Sequence, residues 1–350
     1  MKPSFSYKKA YKLTDALGYG ILSLRKKDTS MIKGIVGCYQ NNKSMVNVVG
    51  FEFDEQLNKF IKSYPLVDWQ DAKYLSIDNN YLVSLANNGK GGVCVLNVNT
   101  QQINYQFDQE STPCYVTQTL NYIYTANYHT GKVMVYQKDK LLTPVKCIDT
   151  GVNSGAHQIL IYHQLLLVPC LLLDQIRIYD IENDYSLISV INFENHTGVR
   201  HGVFVDNHLY IISELSNQLF HLIINSNGDY QFIDHMDLLP DGLQGACAAI
   251  RLSNDHNYLY VSIRQCNLIK VIDVNKFAVI QSISCQGDHP RDIALTPDNN
   301  YLFVANRYTN QLHSFPIDKC TGLLGELVDS LEIIDGVSIE FFSKETNYDL

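Results

Sequence analysis

Seven short apolar segments recur along this chain at nearly constant spacing, and no other feature limits its fold as strongly. They are Gly34-Ile-Val-Gly-Cys, Leu82-Val-Ser-Leu-Ala, Ile123-Tyr-Thr-Ala-Asn, Leu166-Leu-Val-Pro-Cys, Leu209-Tyr-Ile-Ile-Ser, Leu259-Tyr-Val-Ser-Ile and Leu302-Phe-Val-Ala-Asn, separated by steps of 48, 41, 43, 43, 50 and 43 residues. Polar turns and further β-rich runs follow them, among them Val133-Met-Val-Tyr, Ile176-Arg-Ile-Tyr and Ile269-Lys-Val-Ile. Apolar stretches such as Gly202-Val-Phe-Val and Ile293-Ala-Leu-Thr precede them. Short β-branched and aromatic runs punctuated by Asn, Asp and Gly are the pattern of strands and turns, and no segment sustains a 3.6-residue period. A four-stranded unit of about 45 residues is a propeller blade, so the repeat predicts an all-β, seven-bladed β-propeller.

Closure of the ring removes the exposed edges of so large a sheet, but the first unit lacks an innermost strand before Gly34. The C-terminal stretch Gly336-Val-Ser-Ile-Glu-Phe-Phe is the expected donor, so that strands from the two chain ends close the ring; Gly20-Ile-Leu-Ser-Leu is the alternative. The expected organisation is a propeller over residues 31–345 and an N-terminal extension, residues 1–30, to which the sequence assigns no role. The turn Asn87-Asn-Gly-Lys-Gly-Gly is expected between two strands of the second blade, its glycines supplying positive φ.

Composition narrows the class of function. With 46% hydrophobic and 18% charged residues among 350, the chain can bury a large core. A formal charge of −9 argues against nucleic acid or an anionic membrane surface as partner. No apolar stretch of signal-peptide length precedes Lys12, and the longest apolar run, Leu165 to Leu173, contains a proline, so neither export nor a membrane span is expected. Nine scattered cysteines, never spaced Cys-x-x-Cys, are the usage of a reduced cytoplasmic protein. The sequons at Asn42 and Asn195 are accordingly taken as chance matches. Oligomeric state is not legible.

Blade geometry converts sequence offsets into a place. If strands A to D run from the channel outward, A and B are antiparallel, and the start of A meets the end of B at one mouth of the channel. Counting along the repeat, start-of-A positions are Lys73, Cys114, His157, Arg200, Ala248 and Arg291. End-of-B positions are Tyr39, Asn87, Tyr128, Leu171, Glu214, Arg264 and Arg307. Four of the chain's seven arginines, Arg200, Arg264, Arg291 and Arg307, fall on these positions. Guanidinium forks suit carboxylate and phosphate, so an anionic small molecule is the expected partner.

Among the arginines stand one carboxylate, Glu214, and one imidazole, His157. An acid–base pair beside an anion clamp fits hydrolysis or isomerisation of a small acid. Each residue alone has a structural explanation: His157 as a buried hydrogen-bonder, Glu214 as the partner of Arg264 or Arg200, Cys114 as a small core residue. Their coincidence at one mouth carries the functional reading. His129, His201 and His289 adjoin the same positions; His201 and Tyr128 join Arg291 and Arg307 as candidate substrate contacts. Metalloprotease, P-loop and nucleophile-elbow motifs are absent, and no metal or cofactor is expected.

The segments Gly155-Ala-His-Gln, Gly198-Val-Arg-His, Ser213-Glu-Leu, Ser262-Ile-Arg and His289-Pro-Arg-Asp-Ile-Ala-Leu-Thr-Pro-Asp resemble the propeller-type 6-phosphogluconolactonases. That family includes the fungal 3-carboxy-cis,cis-muconate lactonizing enzyme. The resemblance spans residues 31–345 and is clearest from 155 to 325. It implies a cytosolic, metal-independent enzyme acting on a lactone or its open acid. In the lactonizing branch the proposed site is a His, an Arg, a Glu and a second Arg, which fall here on His157, Arg200, Glu214 and Arg264. The implied reaction is hydrolysis of 6-phosphogluconolactone in the pentose phosphate pathway. Arg264, Arg291 and Arg307 would hold the phosphate and Arg200 would lie near the carbonyl. Either His157 or Glu214 would activate water and the other orient it or return the proton; the sequence does not decide which, although depression of Glu214 by the arginines argues for His157 as the base. The alternatives are a lactonizing reaction on a dicarboxylate and a noncatalytic binding scaffold, for which Tyr39 and Tyr128 at the mouth leave room.

Overall fold

Strand B of each blade reads as an unbroken apolar run because adjacent blades pack against both of its faces. In blade 4, strand B (Leu165–Cys170) is buried at every position, as is strand B of blade 7 (Tyr301–Asn306). Strand D is the opposite case. In blade 5 it runs Tyr230–Asp237 and is almost wholly exposed, so its sequence carries little apolar pattern.

In the computed structural model, residues 31–39, 46–78, 80–139 and 141–342 are described. They form seven antiparallel sheets of four strands each. Blades 2 to 7 are each built from consecutive strands, covering 75–109, 115–149, 160–192, 199–237, 246–284 and 290–332. Blade 1 takes its strands B, C and D from Met31–Cys38, Val48–Asp54 and Lys59–Val67, and its strand A from Gly336–Phe341. The closing strand pairs antiparallel with Met31–Cys38 through Val36 opposite Ile339 and Gly34 opposite Phe341. The C-terminal donor therefore closes the ring. The N-terminal extension, the alternative donor at Gly20 and the sequon at Asn42 lie outside the described residues.

Seven apolar clusters form the core, most of them spanning neighbouring blades. Ile178 and Ile191 of blade 4 pack with Val199, Leu209 and Leu222 of blade 5, for example. At the closure, Phe51 and Phe53 meet Phe303, with ring centroids 5.7 and 5.2 Å apart. One expectation needs correction. Among the glycines of Asn87–Gly92, only Gly89 adopts positive φ (77°), while Gly91 and Gly92 already belong to strand C (Gly91–Asn97). A Cβ on either would strike a neighbouring carbonyl, that of Ser111 or Gln106, so close backbone approach explains them.

Candidate active site

Two backbone devices aim the channel-facing side chains. The first is a left-handed residue two positions ahead of the start-of-A residue: Asp71 before Lys73, Gly155 before His157, Gly198 before Arg200 and His289 before Arg291, with φ of 62°, 65°, 65° and 62°. In three blades the carbonyl of that residue accepts a hydrogen bond from the end-of-B residue, from Leu171 (3.1 Å), Glu214 (2.8 Å) and Arg307 (3.1 Å). The second device is a β-bulge. Val199 pairs with Ser213 and His201 with Ile212, so Arg200 is the unpaired extra residue; Arg291 is likewise skipped between Pro290 and Asp292. A bulge turns its extra side chain out of the sheet's alternation, here toward the channel.

The eight candidates from sequence, His157, Arg200, Glu214, Arg264, Arg291, Arg307, His201 and Tyr128, line a single cavity of about 350 Å³. Tyr39, Lys73, Cys114, His129 and His289 line it too. Three equivalent positions do not. Asn87 is bonded to Thr112 at 2.7 Å, Leu171 is buried in a short 3-10 turn, and Ala248 is packed in strand A of blade 6. Tyr74, Asp292, Tyr308 and Val337 also line the cavity although the repeat count passed over them. Tyr74, Asp292 and Tyr308 each follow a counted position by one residue, and a count admitting immediate neighbours would have found them.

Glu214 organises the positive charge. Its Oε2 accepts from Arg200 Nε at 2.7 Å and Arg264 Nη2 at 2.8 Å, and its Oε1 has no hydrogen-bond partner among the described residues. Arg264 also donates to the backbone carbonyls of Ala246 (3.2 Å) and Cys247 (3.4 Å). Arg307 is held by Asp335 at 3.2 Å, whereas Arg291 has no ion-pair or hydrogen-bond partner among the described residues. Burial raises the Glu214 carboxyl, yet Arg200, Arg264 and Arg291 outweigh it and hold it below its ordinary value. Burial, reinforced by Arg291 and Arg264 against the pull of Glu214, lowers Arg200 to about 9, which leaves it a cation at neutral pH. Arg200 is 2% exposed and its Nη1 has no partner, so one donor of its fork is uncommitted.

His157 and His201 form a buried pair, Nδ1 of the first 3.1 Å from Nε2 of the second. His201 is wedged edge-on against Tyr115 and Tyr74, at ring distances of 5.6 and 6.1 Å. Burial first, then Arg200 and the other guanidinium groups, push both imidazoles well below their ordinary range, so both are neutral at pH 7. His201 Nδ1 is buried without a partner. A buried orphan N–H is rarer than an orphan lone pair, which selects the tautomer in which His201 Nε2–H donates to His157 Nδ1. His157 then carries its own hydrogen on Nε2. Cys114 is a thiol rather than a nucleophile: burial raises its pKa, and Sγ donates to the carbonyl of Ala156 at 3.3 Å.

Further along the channel, Asp292 Oδ1 accepts from Arg251 at 2.7 Å and its Oδ2 accepts from the backbone of Ile339 at 2.9 Å. Among the described residues no group of three or more His, Cys, Asp or Glu side chains is arranged to hold a metal, and no helix is long and apolar enough to cross a membrane. All nine cysteines are free.

Comparison with known proteins shows the family of the chain. Residues 33–341 match the family described as lactonase, 7-bladed beta-propeller. The 6-phosphogluconolactonase of Bacillus subtilis is 27% identical over 344 residues, covering 88% of this chain and 97% of the relative. Among solved structures, a protein from Lactobacillus plantarum superimposes with a TM-score of 0.82 at 24% identity, covering 89% of this chain and 100% of that one. The periplasmic gluconolactonase of Pseudomonas aeruginosa follows with a TM-score of 0.79 at 21% identity, covering 90% and 99%. With its matched region running from the first strand of blade 1 to the strand that closes the ring, the chain belongs to the lactonase family of seven-bladed β-propellers.

Proposed function

We propose that this chain hydrolyses 6-phosphogluconolactone to 6-phosphogluconate in the cavity at the channel. The observation that carries the reading is the division of Glu214: one oxygen bound by two arginines, the other uncommitted in a cavity that a neutral His157 and an unpartnered Arg291 also line. The arginines neutralise an anionic substrate, and the bare oxygen is a base. Arg291 and Arg307 take the anionic end. Arg264 is already committed to Glu214 and two carbonyls, and acts by holding Glu214.

The lactone carbonyl lies against Arg200 and the Nε2–H of His157. Glu214 Oε1 takes a proton from water as the water oxygen bonds to the carbonyl carbon. The carbonyl oxygen becomes an oxyanion, stabilised by the two donors. Collapse of that intermediate breaks the bond to the ring oxygen, which takes up the proton and leaves as the free hydroxyl. His157 does this work as a neutral donor; as a base it would become a cation among Arg200, Arg264 and Arg291, which burial and charge both oppose. A cytoplasmic location belongs to the same proposal and is supported by nine free cysteines.

The test is to add purified protein to freshly generated 6-phosphogluconolactone and follow ring opening against the spontaneous background, coupled to 6-phosphogluconate dehydrogenase. The expected result is acceleration that falls by about 10²-fold or more in Arg200→Ala, the size of effect seen on removing an oxyanion donor, with the variant still folded. A folded wild-type protein that does not exceed the background sinks the assignment and moves the reading to a lactonizing reaction on a dicarboxylate.

A further inference from the structure

Five cations line the cavity, and their partners divide them. Arg200 and Arg264 share Glu214, and Arg307 is paired with Asp335. Arg291 and Lys73 have no carboxylate partner among the described residues; Asp71, close to Lys73 in sequence, accepts from Thr112 Oγ1 at 2.9 Å. The two unsatisfied cations come from blades 7 and 2, and the residue between them on blade 1 is Tyr39.

Tyr39 joins the group into one corner. The guanidinium of Arg307 lies 4.1 Å from its ring centroid and Lys73 Nζ lies 5.9 Å from it. The backbone N–H of Tyr39 donates to the carbonyl of Asp335 at 3.1 Å, and the side chain of the same Asp335 holds Arg307. Cations on blades 7 and 2 therefore face one spot across the closure of the ring. His157, Arg200 and Glu214 come from blades 4 and 5, on the other side of the channel axis.

A cavity with a cationic corner at Lys73, Tyr39 and Arg307, from blades 2, 1 and 7, and reacting groups from blades 4 and 5 fits a substrate whose anion is remote from the carbon attacked. Resting on the lactonase reading, we infer that Lys73, with Arg291, Arg307 and the ring of Tyr39, forms a phosphate subsite that selects phosphorylated over unphosphorylated sugar lactones. Lys73 is the residue that sets this preference. It is a point charge without a competing carboxylate, whereas the Arg307 fork is partly occupied by Asp335.

The test compares wild type, Lys73→Met and Lys73→Arg on 6-phosphogluconolactone and glucono-δ-lactone, with titration of inorganic phosphate as a reading independent of turnover. In Lys73→Met the ratio of kcat/KM between the two lactones falls by about tenfold or more, as loss of a charge-assisted hydrogen bond predicts. The change is carried by KM, phosphate binding weakens in parallel, and Lys73→Arg restores both. Equal loss on the two lactones, or an unchanged ratio and phosphate affinity in a folded Lys73→Met protein, overturns the subsite. A wild type inactive on both lactones that still binds phosphate through Lys73 overturns the lactonase reading and leaves the subsite standing.

Discussion

At the scale of single residues, the site is governed by which charges are already answered. Glu214 takes two guanidinium groups on one oxygen, so its other oxygen is the place where a proton can land. Burial and the arginines that depress Glu214 act on His157 as well, and this favours Glu214 over His157 in the proposed role of base. With Glu214 held below the ordinary carboxylate range of about 4.3, and His157 neutral throughout, kcat at saturating substrate, where the free substrate's phosphate does not enter, is expected to be level from about pH 5 to 7 and to fall only in more acid solution. Glu214→Gln should lower kcat by about 10²-fold or more. A profile of kcat at saturating substrate with an inflection near 6 to 7, or a Glu214→Gln protein of near wild-type turnover, would return the role of base to His157.

At the scale of elements, the same local structure repeats while its cargo changes. A left-handed residue in four blades and, in blades 5, 6 and 7, a bulge set the start of strand A, and in three blades the end of strand B is tied to the left-handed residue by one backbone hydrogen bond. Gly198 combines a φ of 65° with a site where an added Cβ would meet Leu215 Cγ at 2.6 Å. Gly198→Ala is therefore predicted to cost about 1–2 kcal/mol from backbone conformation alone and to lower kcat by displacing Arg200 and Glu214 together. Urea unfolding and turnover measure the two effects; a variant equal to wild type in both would show that the turn does not position the pair. The B strands were plain in the sequence because both faces are buried. The D strands were faint because exposed positions such as those of Tyr230–Asp237 tolerate polar residues, yet all seven form.

At the scale of the whole molecule, the closing strand does more than complete a sheet. Asp292 of blade 7 accepts from the backbone of Ile339 in that strand and binds Arg251 of blade 6, and Glu340 adds a second carboxylate to the same surroundings. Burial, less the attraction of Arg251 and plus the repulsion of Asp292, raises Glu340 to about 8. Its unfolded value is about 4.3, so between that pH and about 8 the folded state binds more protons than the unfolded one. The contribution of this group to stability therefore declines as pH rises through that window. The Tm of wild type is expected to drop between pH 5 and 8 by more than that of Glu340→Gln; parallel Tm curves for the two proteins would exclude Glu340 as the source.

The chain sequence by itself determined the number of blades and most of the positions that face the channel, and it narrowed the donor of the closing strand to two candidates. These follow from a period along the chain and from antiparallel pairing, both local consequences of covalent order. Only the tertiary structure decided which charges are free. Arg200 lies 14 residues from the carboxylate that binds it, His157 lies 44 residues from His201, and Arg307 is held by Asp335 next to the closing strand. Such pairings depend on the angles between blades and on side-chain directions at bulges. A repeat in the sequence cannot carry them, because it assigns each residue a blade and a position but not a neighbour across the channel.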